Sequence, residues 1–195
     1  MDSWQYSTKK AKDCEIYLRK GGSNYSCYRL HTEFDFPPDL VMEYFRDIDK
    51  RMSWDEGFDY LKFVRTFRLN TMILHVKLKA QWPVGPREAL LVFYGMINPV
   101  SGSSYLGSCS VEHPDFPIDE SGKLVRVNTL AGHYIFEAIA NGTRTRFVHI
   151  SEFNFGGSVP RGLVQNGGSD KLAQAIAKLK KMLPKQCPDK MATKK

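Results

Sequence analysis

The sequence predicts an α+β domain: a long, curved antiparallel sheet wrapped around one C-terminal helix, with a hollow apolar interior. Three observations predict it. Segments between residues 14 and 155 alternate apolar and polar side chains with the period of two that strands require. Helical periodicity is confined to a short stretch near residue 40 and a long one near the C-terminus. Between the strand patterns at 71–80 and 89–94 stands a stiff loop, Trp82-Pro83-Val84-Gly85-Pro86-Arg87-Glu88, which sets an aromatic and a cation at the rim of the sheet. Loops on a rigid scaffold are where binding residues concentrate.

The elements follow in order. Glu15-Ile16-Tyr17-Leu18 predicts a strand, and Lys20-Gly21-Gly22-Ser23-Asn24 a turn. A second strand runs over 25–36 and ends in the alternation Glu33-Phe34-Asp35-Phe36. Pro37-Pro38-Asp39 opens a helix, where proline is tolerated in the first turn. Val41, Tyr44, Phe45, Ile48 and Met52 fall on one face of that helix, which is ordinary core. Strands follow over 58–67, 71–80, 89–94, 104–111 and 123–138. Asn141-Gly142 signals a hairpin into the last strand, 145–155. Ser169 is a suitable N-cap for the final helix, Lys180 and Lys181 suit its C-terminal dipole, and Pro184 is expected to stop it. Leu172, Ala175, Ile176, Leu179 and Leu183 make its apolar stripe.

The totals narrow the function classes. The chain has 195 residues, 42% of them hydrophobic, enough for one domain with a real core. Its longest apolar run, 89–97 interrupted by Gly95, is far short of the roughly 20 residues of a membrane span. No basic stretch followed by an apolar one opens the chain, so a cytoplasmic protein is expected. Four cysteines, Cys14, Cys27, Cys109 and Cys187, form no C-x-x-C pair and read as reduced thiols. His113 and His133 lack ligand spacing, so no metal and no cofactor are expected. The net charge of +7 permits attraction to anionic membranes. Much of it sits at the ends, including Lys9, Lys10 and Lys12, where solvated tails are the plainer reading. It is dispersed and carries no nucleic-acid motif, so nucleic acid is not an expected partner.

One helix covers only part of one face of so long a sheet. The inward residues of the remaining strands then line a space, and hollow apolar spaces bind apolar ligands. The resulting picture is similar to a known family. Met52-Ser53-Trp54-Asp55, Gly85-Pro86-Arg87-Glu88, Gly122-Lys123-Leu124-Val125-Arg126 and Phe155-Gly156-Gly157-Ser158-Val159-Pro160 stand in the order of START domains, the steroidogenic-acute-regulatory-protein-related lipid transfer family. The resemblance covers roughly residues 30–183. It implies a helix-grip fold around a lipid-sized tunnel, and binding and inter-membrane transfer of one lipid without a catalysed reaction. It divides the chain into 1–13, an N-terminal tail or remnant of the family's first helix, 14–184, the lipid-binding domain, and 185–195, a basic tail.

The candidate residues carry two readings each. Arg87 shares a strand face with Ala89, Leu91 and Phe93, taken as inward. It either holds a lipid phosphate, which a guanidinium fits bidentately, or sits at the rim bridged to a carboxylate. Tyr105 and Tyr134 are candidate headgroup contacts. Met72, Leu74, Val76, Leu78, Leu91, Phe93, Phe153, Leu172 and Ile176 line the tunnel or are simple core. Trp82 is a membrane-contacting gate or a packing lid, with Val84 beside it. Phe116 and Ile118, on the second proline-rich loop, are its counterpart or loop anchors. His75, Lys77 and Lys79 fall on the opposite face and read as solvated. Sterol-binding members of the family carry an acid in the tunnel on the strand before the Trp82 loop; Val76 stands there, which points to a phospholipid over a sterol. A monomer that touches anionic membranes transiently, with Lys171, Lys178, Lys180 and Lys181 available to headgroups, completes the expectation. The alternatives are a cyclase- or hydrolase-type enzyme on the same scaffold, a small-molecule sensor, or a sterol carrier. The inward strand positions are apolar and show no nucleophile–base pair, so an enzyme is not expected.

Overall fold

The computed structural model describes residues 4–7, 13–20, 25–68, 70–80, 84–159 and 161–191. Ten strands form one sheet: β1 (Gln5–Tyr6), β2 (Glu15–Lys20), β3 (Tyr25–Phe34), β4 (Phe58–Arg68), β5 (Thr71–Leu78), β6 (Arg87–Ile97), β7 (Ser104–Ser110), β8 (Val125–Arg126), β9 (Asn128–Ile139) and β10 (Arg144–Asn154). Their order is β1-β2-β3-β10-β9-β7-β6-β5-β4. Neighbours are antiparallel, and β8 adds a short parallel pairing to β6. The helices are α1 (Pro38–Arg46), α2 (Ile48–Trp54) and α3 (Arg161–Gln186). The expected helix-grip fold is present.

Three boundaries differ from the sequence expectation, each for a local reason. The single helix after Pro37 is two helices. Asp47 is extended at φ −74°, ψ 126°, and its side chain accepts a hydrogen bond from Lys50 N at 2.9 Å, so it ends α1 and caps α2. The strand expected at 123–138 is broken at Val127, whose N–H donates to Glu88 O at 2.8 Å. The C-terminal helix starts eight residues before Ser169, which is an interior position and not the N-cap. It also continues past Pro184, because a missing N–H in the last turn costs one bond at an end that frays anyway.

The core lies under one half of the sheet. Leu30, Phe34, Phe136 and Phe147 on β3, β9 and β10 meet Val41 and Phe45 of α1, Trp54 of α2, and Ile176, Leu179 and Leu183 of α3. Phe45 stacks on Phe147 with ring centroids 4.9 Å apart and on Trp54 at 4.9 Å. Trp54 donates its indole N–H to Tyr44 O at 3.0 Å. Across β5 and β6 only Leu74, Val76 and Ala89 join Val127 in a second, thin cluster. Of the helices, among the described residues, only Ile48 at the start of α2 reaches that cluster, so most of the inward side chains there face open space.

The sheet has two ends. The front carries the loop 79–86, the connection 111–124 and the approach to α3. The back carries three turns: Asn70, Asn98–Ser103 and Ala140–Thr143. The last is the expected hairpin, with Ala140, Asn141 and Gly142 all at positive φ. Phe147 is fully buried among four aromatic rings. Phe147→Ala is expected to destabilise the fold by about 3–5 kcal/mol, read from the urea midpoint at unchanged m-value; a loss under about 1 kcal/mol would mean the core does not depend on that cluster.

Candidate functional site

The uncovered half of the sheet encloses a cavity of about 430 Å³ that adjoins a front lobe of about 230 Å³. The two lobes share the walls Tyr28, Arg51, Phe58, Tyr134, His149 and Phe153, so they read as one chamber with a waist. Met72, Leu74, Val76, Leu78, Leu91, Phe93 and Phe153, all expected to line a tunnel, lie on this wall. Leu172 lines the front lobe. Ile176 does not reach the chamber; it is fully buried in the core beneath α3, because its position on the helix turns it toward β3 and α2.

Arg87 opens β6 and faces the front lobe. It is only 6% exposed. Its Nη1 donates to Gly85 O at 2.7 Å, its Nε is buried without a partner, and among the described residues no carboxylate pairs with it. Burial pulls its pKa below the ordinary arginine value. Gly156 and Gly157, at φ 63° and 57°, bring the chain close to it on the way to α3. A Cβ on Gly157 would stand 3.8 Å from Arg87 Nη2, and one on Gly156 would meet Val125 Cγ1 at 2.8 Å. Lys79 and Lys171 line the same lobe. Desolvation lowers the Lys171 pKa. The acid of this lobe, Asp55, is engaged by Arg51 Nη2 at 2.5 Å. The lobe therefore collects positive charge beside an apolar chamber.

The neighbouring Glu88 faces the other way, as alternation requires. Its Oε1 accepts from Arg126 Nε at 3.0 Å and Nη2 at 2.8 Å, and its Oε2 lies 2.6 Å from His75 Nε2. Arg126 Nη2 also donates to Phe116 O at 3.1 Å. This buried cluster pins the 111–124 connection to the outside of the sheet. It corrects the solvated reading of His75, which is held between Glu88, Tyr60 and the Phe116 ring. It also places Phe116 as a loop anchor on that outer face, while Ile118 is exposed beyond it.

Tyr105 is likewise on the outer face, its hydroxyl 2.6 Å from His133 Nδ1 and its ring stacked on that imidazole. Leu106 takes the inward position next to it, so the expected headgroup contact from Tyr105 is withdrawn. Tyr134 is at the waist, stacked on His149 at 4.1 Å. Val84 lines the front lobe. Trp82 lies outside the described residues. Lys171, exposed on α3 as expected, also lines the front lobe.

Sequence reasoning missed the waist. His149 Nδ1 lies 3.2 Å from His133 O, and its Nε2 lies 3.2 Å from Tyr28 Oη. A neutral ring that donates from Nδ1 and accepts at Nε2 satisfies both. Arg51 lies over the rings of Trp54, Phe45 and Phe58 at 4.4, 4.8 and 5.3 Å. The signal in the sequence was Arg51 and Asp55 at i and i+4 on a helix. For His149 there was none beyond strand parity. Among the described residues no cluster of metal-ligating side chains occurs, and no helix is long and apolar enough to cross a membrane.

Burial pushes the His149 pKa from 6.5 down to about 3. The unfolded chain then binds a proton that the folded one refuses. This contribution to stability is complete above pH 6.5 and is lost as pH falls toward 3. The expected slope is up to about 1.4 kcal/mol per pH unit. His149→Gln should flatten the stability profile between pH 6 and 4 by about one proton, measured by urea unfolding; an unchanged slope would contradict the neutral buried imidazole.

Solved structures share the fold. Human StAR-related lipid transfer protein 5 superposes with a TM-score of 0.82 at 15% identity, over 94% of this chain and 87% of that one. The lipid transfer and protein localization domain of human StarD13 gives 0.77 at 21%, over 93% and 89%. A STAR-related lipid transfer protein fragment from Xanthomonas axonopodis gives 0.73 at 19%, over 93% and 99%. No curated protein sequence matches the chain. The family model described as START domain matches residues 2–189, and the chain belongs to the START domain family.

Proposed function

We propose that this domain binds a single phospholipid in the chamber and carries it between membranes as a monomer that touches the cytoplasmic face of a bilayer transiently. Family membership supports lipid binding and transfer as the coarse reading. The phospholipid rests on one observation: Arg87, buried in the chamber wall with its Nε unpartnered and no carboxylate beside it among the described residues. An inward cation in an apolar space is costly unless an anion meets it. The free Nε edge of a guanidinium offers two parallel donors to a phosphate. Val76 stands on the wall where a carboxylate would neutralise Arg87, and Lys171 and Lys79 add to the field at the same end. Tyr134, at the waist, is placed to meet the polar region of the lipid below its phosphate.

The acyl chains extend from Arg87 through the waist into the larger lobe, past Leu74, Leu91 and Phe93. Their burial is the physical basis of carriage. At about 0.8 kcal/mol per methylene, a lipid with roughly 30 methylenes resists entering water by more than 20 kcal/mol. Apolar walls replace that water. Entry requires an opening at the front, and the proposal assigns it to the loop bearing Trp82 and Val84, with Trp82 at the membrane interface where indoles partition.

Two experiments test this. Protein purified from a eukaryotic extract should release, in native mass spectrometry, a ligand with a phospholipid mass. In a vesicle assay, labelled phosphatidylcholine should move from donor to acceptor, with Arg87→Ala slowing it about tenfold or more and Trp82→Ala slowing it severalfold. A co-purifying sterol, or transfer indifferent to Arg87→Ala, would overturn the phospholipid assignment.

A further inference from the structure

The chamber does not end inside the protein. Its back is walled by Arg46, Ile48, Asn70, Met96 and Ile97. Met96 and Ile97 are half-exposed, and Arg46 and Asn70 are exposed, so the chamber opens to solvent there. Arg87 and Ile97 stand at opposite ends of β6, a separation of roughly 33 Å at about 3.3 Å per residue. This back mouth is distinct from the front loop.

The surface around it is apolar and basic. Phe63 follows the chamber-lining Leu61 on the same face of β4 and is 56% exposed. Phe67 and Tyr94 are exposed near the same end. Val100 is 95% exposed at the tip of the β6–β7 turn. That tip is held rigidly: Asn98 Oδ1 accepts from Val100 N at 2.9 Å and Ser101 N at 3.2 Å, and Asn98 N donates to Ser103 O at 2.8 Å. A second bond, Gly95 N to Asn70 O at 2.8 Å, ties the two neighbouring turns together. Arg46 and Arg65 flank this surface. Among the described residues neither pairs with a carboxylate, and Arg65 rests on the Phe67 ring. Of the acids nearest them in sequence, Glu43 pairs with Lys50, Asp47 caps α2 and Asp59 pairs with Lys77, while Asp49 is exposed.

We propose that the back end of the sheet is a second docking face for anionic membrane, with Val100, Ile97 and Met96 entering the interface and Arg46 and Arg65 meeting the headgroups. Exposed apolar side chains rimmed by unpaired cations suit a bilayer surface, which supplies both hydrocarbon and negative charge. A second chain is disfavoured as occupant. β4 is the free edge, but its pairing with β5 is irregular at three places and it presents Lys62 and Arg65, devices that discourage strand addition. Docking here sets the back mouth against lipid, where acyl ends from the chamber meet hydrocarbon. That last step rests on the phospholipid reading; docking itself does not.

Flotation with phosphatidylcholine vesicles, with and without phosphatidylserine, tests the face. Each basic residue near such a surface is worth roughly fivefold in affinity, so Arg46→Glu/Arg65→Glu should bind phosphatidylserine vesicles at least about 25-fold more weakly. Ile97→Ser/Val100→Ser should weaken binding severalfold, and Val100 is too exposed for its change to unfold the chain. Both effects should shrink at 0.5 M salt. Variants that bind as wild type does, or a wild type that ignores phosphatidylserine, overturn the face. So does a concentration-dependent dimer in sedimentation that the same variants abolish without any vesicle binding. The carrier reading is scored apart, by the Arg87→Ala assay. Loss of docking with no phospholipid transfer in the wild type leaves the face standing and removes the carrier; transfer sensitive to Arg87 with docking indifferent to these variants does the reverse.

Discussion

A curved sheet of ten strands gripping a single long helix leaves more inward surface than the helix covers, and the rest of the molecule follows from that mismatch. α3 packs with α1 and α2 over β3, β9 and β10, where the fully buried aromatic residues gather. Over β5 and β6, among the described residues, only Ile48 of α2 arrives. The side chains there are as apolar as in the core, yet they face a void. A void withholds dispersion contacts from its lining, so the empty protein stores an incentive to bind hydrocarbon. A ligand that fills the chamber stabilises the folded state by mass action.

Charge is distributed along the same strand by alternation. Arg87 and Glu88 are adjacent and both buried, yet their environments are opposite. Glu88, on the outer face, is neutralised by Arg126 and His75, and this cluster fastens the long connection that would otherwise hang from the sheet. Arg87, on the inner face, has a single carbonyl among the described residues. Removing the carboxylate that a gapless family match would place at Val76 does not make Arg87 inert. It makes it available, since a buried guanidinium keeps its charge at neutral pH.

The waist adds a polar element to an otherwise apolar space. Arg51 pairs with Asp55 and Tyr28 with His149, which is how polar groups are tolerated at such depth, while the Arg51 Nε is buried without a partner among the described residues. Their presence between two lobes divides the chamber into a charged front and a hydrocarbon-like back. The back then opens between exposed Met96 and Ile97, so the chamber has two ends of different chemistry.

By itself the sequence determined the fold class, the strand sequence, the loop that carries Arg87 and the inward face of β5 and β6. These are consequences of period-two alternation and of turn chemistry at Pro83-Val84-Gly85-Pro86 and Asn141-Gly142, which act over a few residues. It misplaced Tyr105 and Ile176 because parity on one strand or helix says which residues share a face, not which neighbour that face meets. It read His75 as solvated for the same reason. It extended α1 through Asp47 because an N-cap within an amphipathic run is indistinguishable from an interior polar residue until the chain turns. Tertiary structure alone decided that Arg87 meets no carboxylate among the described residues, that His149 joins Arg51 at a waist, and that the chamber opens at the back. Each depends on contacts between strands and helices far apart in the chain, and no local pattern encodes a distance of that kind.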